Sequence, residues 1–246
     1  MIKVTLANGE TKEFDSQLSA FDAARELGEA KTACAAEIDG KVCDLRTTLT
    51  DGCTVKFLTF EDEQGQRAFN HTASHVLAQA VKRLFPATKL AIGPAIENGF
   101  YYDFDTEEPF TTETLAKIEA EMKKIVKESI RLEHFTMAPD EAIKYLEEQG
   151  EPYKVELCQE HADKGEPISF YKQGDFTDLC AGPHLMTTAP VKAVKLTACT
   201  GAYWRADANN KMLQRVYGIS FPKASELEEY LNRLEEAKRR DHRKLG

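Results

Sequence analysis

His71 and His75 stand four residues apart, and so do Cys180 and His184 further along the chain; Asp178 lies just before the second pair. Side chains at i and i+4 of a helix project side by side, so such a pair can grip one metal ion or one substrate group. Three imidazoles and a thiol make an acceptable tetrahedral zinc set. The same groups without metal could bind and polarise a carbonyl or position a water. Residue chemistry alone leaves both options open.

An element must present each pair. Between Phe69 and Phe85 the apolar residues Ala73, Val76, Leu77, Ala80, Val81 and Leu84 recur at three- and four-residue steps, which predicts an amphipathic helix. At about 100° per residue the apolar face centres near Ala80, with His71 and His75 on the opposite side. They are therefore expected to line solvent or a cleft rather than the core. Gly182-Pro183 is turn chemistry, which places Cys180 and His184 on a loop.

The 246 residues suit about two domains. A hydrophobic fraction of 42% and a charged fraction of 30% are those of an ordinary soluble globular protein. No apolar run approaches the ~18 residues of a membrane span, and Met1-Ile-Lys-Val-Thr-Leu6 alternates like a strand rather than a signal peptide. A cytoplasmic protein is expected. Six cysteines without a C-x-x-C pair are expected to be mostly reduced and buried. The net charge of −9 argues against indiscriminate coating of nucleic acid. The charge is uneven, however. From 190 to 223 the chain has Lys192, Lys195, Arg205, Lys211, Arg215 and Lys223 against Asp207 alone, and 237–246 is also basic. A locally basic flank suits docking one particular polyanion.

Residues 1–61 read as a small separate domain: two strands around Asn8-Gly9, a helix capped by Ser19 and stopped by Gly28, then short strands broken at Asp39-Gly40 and Asp51-Gly52. A polar linker follows. In 62–224 the expected elements are the histidine helix, a hairpin at Asn98-Gly99 and a helix over 111–130 buried through Leu115, Ile118, Met122, Ile125 and Val126. A helix over 139–149, strands over 152–157 and 168–171, and a strand pair near 194–196 and 212–216 complete it. A helix with the stripe Leu227, Tyr230, Leu231 and Leu234 fills 225–246. The fold class is α+β.

The front module resembles the β-grasp, ubiquitin-like domain called TGS. His71-x-x-x-His75 followed by Cys180-x-x-x-His184 resembles the signature of the editing domain shared by threonyl- and alanyl-tRNA synthetases. Ala91-Ile-Gly-Pro, Asn98-Gly-Phe-Tyr-Tyr-Asp103, Tyr153-Lys-Val-Glu156, Thr177-Asp-Leu-Cys180 and Gly201-Ala-Tyr-Trp-Arg205 are similar to the threonyl version in particular. So are Asn209-Asn-Lys-Met-Leu-Gln-Arg-Val-Tyr217 and Arg240-Asp-His-Arg-Lys244. The chain is identified as a member of the bacterial threonyl-tRNA synthetase family, covering its TGS and editing domains, with 225–246 as a linker helix leading towards the class II catalytic core. No segment resembles that core, so threonine activation is not expected.

The resemblance implies post-transfer editing: hydrolysis of seryl-tRNA specific for threonine to serine and free tRNA. It implies a pocket of His71, His75, Lys154, Asp178, Cys180 and His184. Lys154 and His71 would position water and transfer protons, Asp178 and Tyr102 would hold the seryl amino and hydroxyl groups, and Cys180 and His184 would close the pocket. The basic stretch Lys192, Lys195, Tyr203, Arg205, Lys211 and Arg215 would take the tRNA acceptor end. No metal is expected, although His71, His75, Cys180 and His184 are the set that zinc would use in alanyl relatives. Other readings are a non-catalytic tRNA-binding or regulatory fragment, alanyl-type zinc-dependent editing of mischarged tRNA, and a structural zinc domain. One departure is Ala181, where the family commonly has arginine; another is Leu185-Met186 in place of a usual valine-proline.

Overall fold

A computed structural model describes residues 1–245, and its α+β architecture is built on three sheets and six helices. The first sheet holds β1 (Ile2–Leu6), β2 (Thr11–Phe14), β3 (Ala35–Ile38), β4 (Lys41–Cys43) and β5 (Thr54–Leu58) in the order β2-β1-β5-β3-β4. Only β1 and β5 are parallel. Helix α1 (Ala20–Glu26) packs Ala20 and Ala23 on this sheet, against Val4, Leu45 and Val55. The local signals act as expected: Ser19 Oγ accepts the Asp22 N–H, and Asp39 and Gly40 both take positive φ to close the β3–β4 hairpin.

Helix α2 (Glu63–Leu84) starts inside the expected linker and runs through the centre of the remainder of the chain. One side meets a sheet ordered β12-β13-β8-β6, made of β6 (Lys89–Leu90), β8 (Gly99–Asp105), β12 (Ala193–Tyr203) and β13 (Met212–Phe221). β7 (Ala95–Ile96) pairs with β8 off that path. Helix α3 (Thr112–Lys127) covers α2 with Ile118, Met122, Ile125 and Val126, the stripe expected of it. A third sheet, β11-β10-β9, comprises β9 (Leu132–Met137), β10 (Ile168–Gln173) and β11 (Phe176–Leu179). It packs with α4 (Pro139–Glu148) and α5 (Pro152–Ala162) around Ala142, Leu146, Cys158 and Phe170. Helix α6 (Ala224–Leu245) leans on β12 and β13, with Leu227, Tyr230 and Leu231 half-buried and Leu234 exposed. No helix among the described residues is long and apolar enough to cross a membrane. All six cysteines are free, and Cys34, Cys53 and Cys158 are buried.

Three local expectations change. Residues 152–157 form the first turns of α5 rather than a strand: Pro152 occupies a first-turn position where its missing N–H costs nothing, and no strand pairs there. The β7–β8 turn is Glu97-Asn98, with Asn98 at φ 62°, because Ile96 pairs with Gly99. Gly99 answers a packing need instead, since a Cβ there would overlap the Gly218 carbonyl. Strand β9 was not foreseen; its sequence, Leu-Glu-His-Phe-Thr-Met, exposes charged and polar positions on an edge strand.

Candidate functional site

The pocket residues that the sequence singled out come from α2, β8, α5, β11 and the loop after it. Placing Lys154 on a helix rather than a strand sets it in the first turn of α5. That helix is pinned from outside by Trp204, whose ring meets Tyr153 edge-on and whose Nε1–H donates to Glu156 at 3.0 Å. Glu151, directly before α5, accepts the Leu90 N–H at 2.8 Å and the Lys82 ammonium at 3.1 Å.

Lys154 and Asp178 form an ion pair at 2.9 Å, with both side chains almost fully buried. The same carboxylate accepts the Tyr102 hydroxyl at 2.6 Å and the Leu179 N–H at 2.8 Å, and lies 3.4 Å from His75 Nε2. Burial alone would raise the Asp178 pKa, but Lys154, His75 and Tyr102 together hold it below the usual range. Asp178 therefore orients Lys154, and is itself held by Tyr102 and the Leu179 N–H. Tyr102 is corrected outright as a substrate contact. It is fully buried, and its ring fills the space that a Cβ on Gly93 would need. Its hydroxyl holds Asp178 in place.

Of the two surroundings expected for the histidine pair, solvent or a cleft, the structure gives the cleft: His75 is 3% exposed and lines a cavity together with His71. The face of α2 opposite Ala80 is also covered, with Thr72, His75 and Gln79 buried beneath β10, β11 and the loop that follows them. His71 keeps partial exposure. Burial lowers the pKa of both His71 and His75 to about 4, so both are neutral imidazoles near pH 7. The Nδ1 atoms of both are buried without a hydrogen-bond partner.

His184 is fully buried behind Cys180, and burial holds it well below its ordinary range. Its Nδ1 lies 3.1 Å from Thr72 Oγ1 and its Nε2 3.1 Å from Cys180 Sγ. Thr72 Oγ1 also accepts the Leu185 N–H and donates to the Ala68 carbonyl. With the single Thr72 proton on the Ala68 carbonyl, Nδ1 donates to Thr72 and Nε2 accepts from the thiol. Burial pushes the Cys180 thiol up to about 11, consistent with an S–H donor. Thr72 and Tyr171, whose ring sits 4.2 Å from that of His184, were not singled out from sequence; nothing in their spacing marks them.

These groups face a cavity of about 450 Å³ lined by His71, His75, Lys154, Asp178 and Cys180, with Gly93 and Leu157 on its walls. His184 supports this wall from behind. Ligand atoms of His71, Cys180 and His184 lie within 4.8 Å of one another, so these three could hold a metal ion with a water completing the set. His75 is outside that cluster because its Nε2 is turned to Asp178.

The basic stretch is organised differently from its sequence. Lys195 pairs with Glu119, Arg205 with Glu156 and Glu160, Lys211 with Asp105, and Arg215 forms a two-pronged bond to Asp103. Neighbouring strands and helices thus supply acids that linear charge counting could not see. Among the described residues Lys192 has no ion-pair partner, and Tyr203 is 40% exposed.

Comparison with known proteins defines the class of the two halves. Residues 2–59 match the TGS domain, and residues 168–217 match the threonyl and alanyl tRNA synthetase second additional domain. The chain is 58% identical over 248 aligned residues to the threonine–tRNA ligase of Acetivibrio thermocellus, an alignment spanning all of this chain and 39% of that protein. It is 56% identical to that of Caldanaerobacter subterraneus, covering 99% of this chain and 38% of the relative, and 58% identical to that of Clostridium botulinum. The chain is similar over its whole length to these threonine–tRNA ligases, and it spans about two fifths of the length of the relatives it matches.

Proposed function

We propose that this cavity hydrolyses the ester linking serine to a threonine-specific tRNA, releasing serine and free tRNA in the cytoplasm. The observation that carries this reading is the buried Lys154–Asp178 pair opening on the cavity beside the neutral His71. Lys154 has three N–H donors and spends one on Asp178, so the others can reach the ester carbonyl or the attacking water. His71, a neutral imidazole on the cavity wall, accepts the water proton as the water oxygen bonds to the carbonyl carbon. The proton passes to the ribose oxygen as its bond to that carbon breaks. Cys180 and His184 shape the wall. Serine is admitted in preference to threonine by size, because a synthetic site built for threonine gains only about 1–3 kcal/mol against serine from one methyl group.

The reading is metal-free. A zinc ion on His71, Cys180 and His184 would supply a Lewis acid and an activated water, but it would need Cys180 as a thiolate and would break its bond to His184. Zinc analysis of protein purified without chelator is expected to find no stoichiometric metal; one ion per chain would overturn this part. The hydrolysis itself is tested by incubating the chain with seryl-tRNA. The ester should be lost, and His71→Ala or Lys154→Ala should slow that loss by about 10²-fold or more. Tight binding of tRNA without turnover would instead support a docking role.

A further inference from the structure

The loop carrying Cys180 and His184 is held from behind by the N-terminal module. Leu45 packs into the β-grasp core, while its neighbours Asp44 and Arg46, in the turn that follows β4, reach the loop instead. Asp44 Oδ2 accepts the His184 N–H at 3.2 Å and the Tyr171 hydroxyl at 2.6 Å. Its Oδ1 takes the Arg46 guanidinium at 2.7 Å. Arg46 then donates to the carbonyls of His184 at 3.2 Å, Leu185 at 2.9 Å and Leu132 at 2.8 Å. Both backbone groups of His184 are thus claimed by residues two apart in another domain. Met186, next along the loop, packs on the β-grasp core. Gly182 comes so close to the Tyr171 hydroxyl that a Cβ there would overlap it.

We propose that Asp44 and Arg46 are positioning residues for the hydrolytic site: the front module completes the site by fixing the His184 backbone, and with it the His184–Cys180 contact on the cavity wall. A planar guanidinium with five donors suits this task, because it spans three carbonyls and a carboxylate at once. Lysine could serve one or two of these. The module then has a role inside this chain that needs no contact with RNA. The inference rests on reading the cavity as an ester hydrolase, and one arm of its test does not.

The test uses the whole chain with Arg46→Ala, Arg46→Lys and Asp44→Asn, each checked for a cooperative thermal transition. With seryl-tRNA as substrate, Arg46→Ala should lower kcat by about 10- to 100-fold while KM moves by no more than about twofold, since misplacing a reacting group costs rate more than binding. Arg46→Lys should fall between it and the parent. In the second arm, iodoacetamide modification mapped to Cys180 should become several-fold faster in Arg46→Ala and Asp44→Asn. Parental kcat and parental Cys180 labelling in both variants would overturn the proposal. So would a change confined to KM, which would make these residues substrate contacts. If Arg46→Ala does not fold, Arg46→Lys and Asp44→Asn decide the matter on the same readouts. If the parent does not hydrolyse the ester, the reading of the cavity fails, and the labelling arm alone judges the latch.

Discussion

Lys154 and Asp178 sit at 2.9 Å in a space that neither could occupy alone. Removing one partner of a buried pair leaves an uncompensated charge and costs about 3–5 kcal/mol, whereas replacing both can be nearly neutral. Lys154→Met should therefore lower the denaturant midpoint strongly, and Lys154→Met with Asp178→Asn should recover most of it. The double variant should still be inactive. Recovered stability with absent turnover separates the chemical role of Lys154 from its structural one; recovered turnover would remove Lys154 from the chemistry. Thr72 allows a finer test. Thr72→Val leaves the His184 Nδ1–H and the Leu185 N–H without their shared acceptor, a loss of about 1–3 kcal/mol measured by equilibrium unfolding.

At the scale of elements, the site depends on how closely backbone and ring can approach. Gly93 is such a place, because the Tyr102 ring lies where a Cβ would be. Gly93→Ala must push that ring, and with it the hydroxyl holding Asp178. The expected cost is about 1–3 kcal/mol in stability, with a fall in turnover that Tyr102→Phe should share in part. The chain's α2, α3 and front hairpins were legible from sequence because their signals are local: periodicity, Ser19 as a cap, Asp39-Gly40 as a turn. The residue types of the pocket were legible for a different reason, since i and i+4 pairs of His and Cys are rare enough to notice. Their roles were less so. Tyr102 read as a substrate contact because the sequence cannot show that α2, β8 and β11 bury it, and Lys154 read as a strand residue because Tyr-Lys-Val alternates. Asp44 and Arg46 left no trace at all. Their partners outside the front module lie more than a hundred residues from Asp44 and 86 or more from Arg46.

The whole molecule packs two buried histidines, His75 and His184, beside the half-buried His71, and this links its stability to pH. Burial lowers His71 and His75 to about 4 in the folded chain against an ordinary value of 6.5, and holds His184 well below its ordinary value as well. Between these values the unfolded chain binds more protons, so stability is full above 6.5 and is lost as pH falls towards 4. Each of His71 and His75 contributes up to about 3 kcal/mol to that loss. Glu151, raised by burial, acts in the opposite direction and softens the slope. Denaturant midpoints should decline between about pH 7 and about pH 5, and His75→Gln should flatten the decline. A flat profile in the parent would contradict the burial of neutral imidazoles.

The most direct test of the central claim is the ratio of hydrolysis rates for seryl and threonyl esters carried on the same tRNA, measured with this chain in excess. A cavity that sorts by one methyl group should favour the seryl ester by about 10-fold or more, and Lys154→Ala should abolish both rates. Equal rates for the two esters, or a seryl rate that survives Lys154→Ala, would contradict the account.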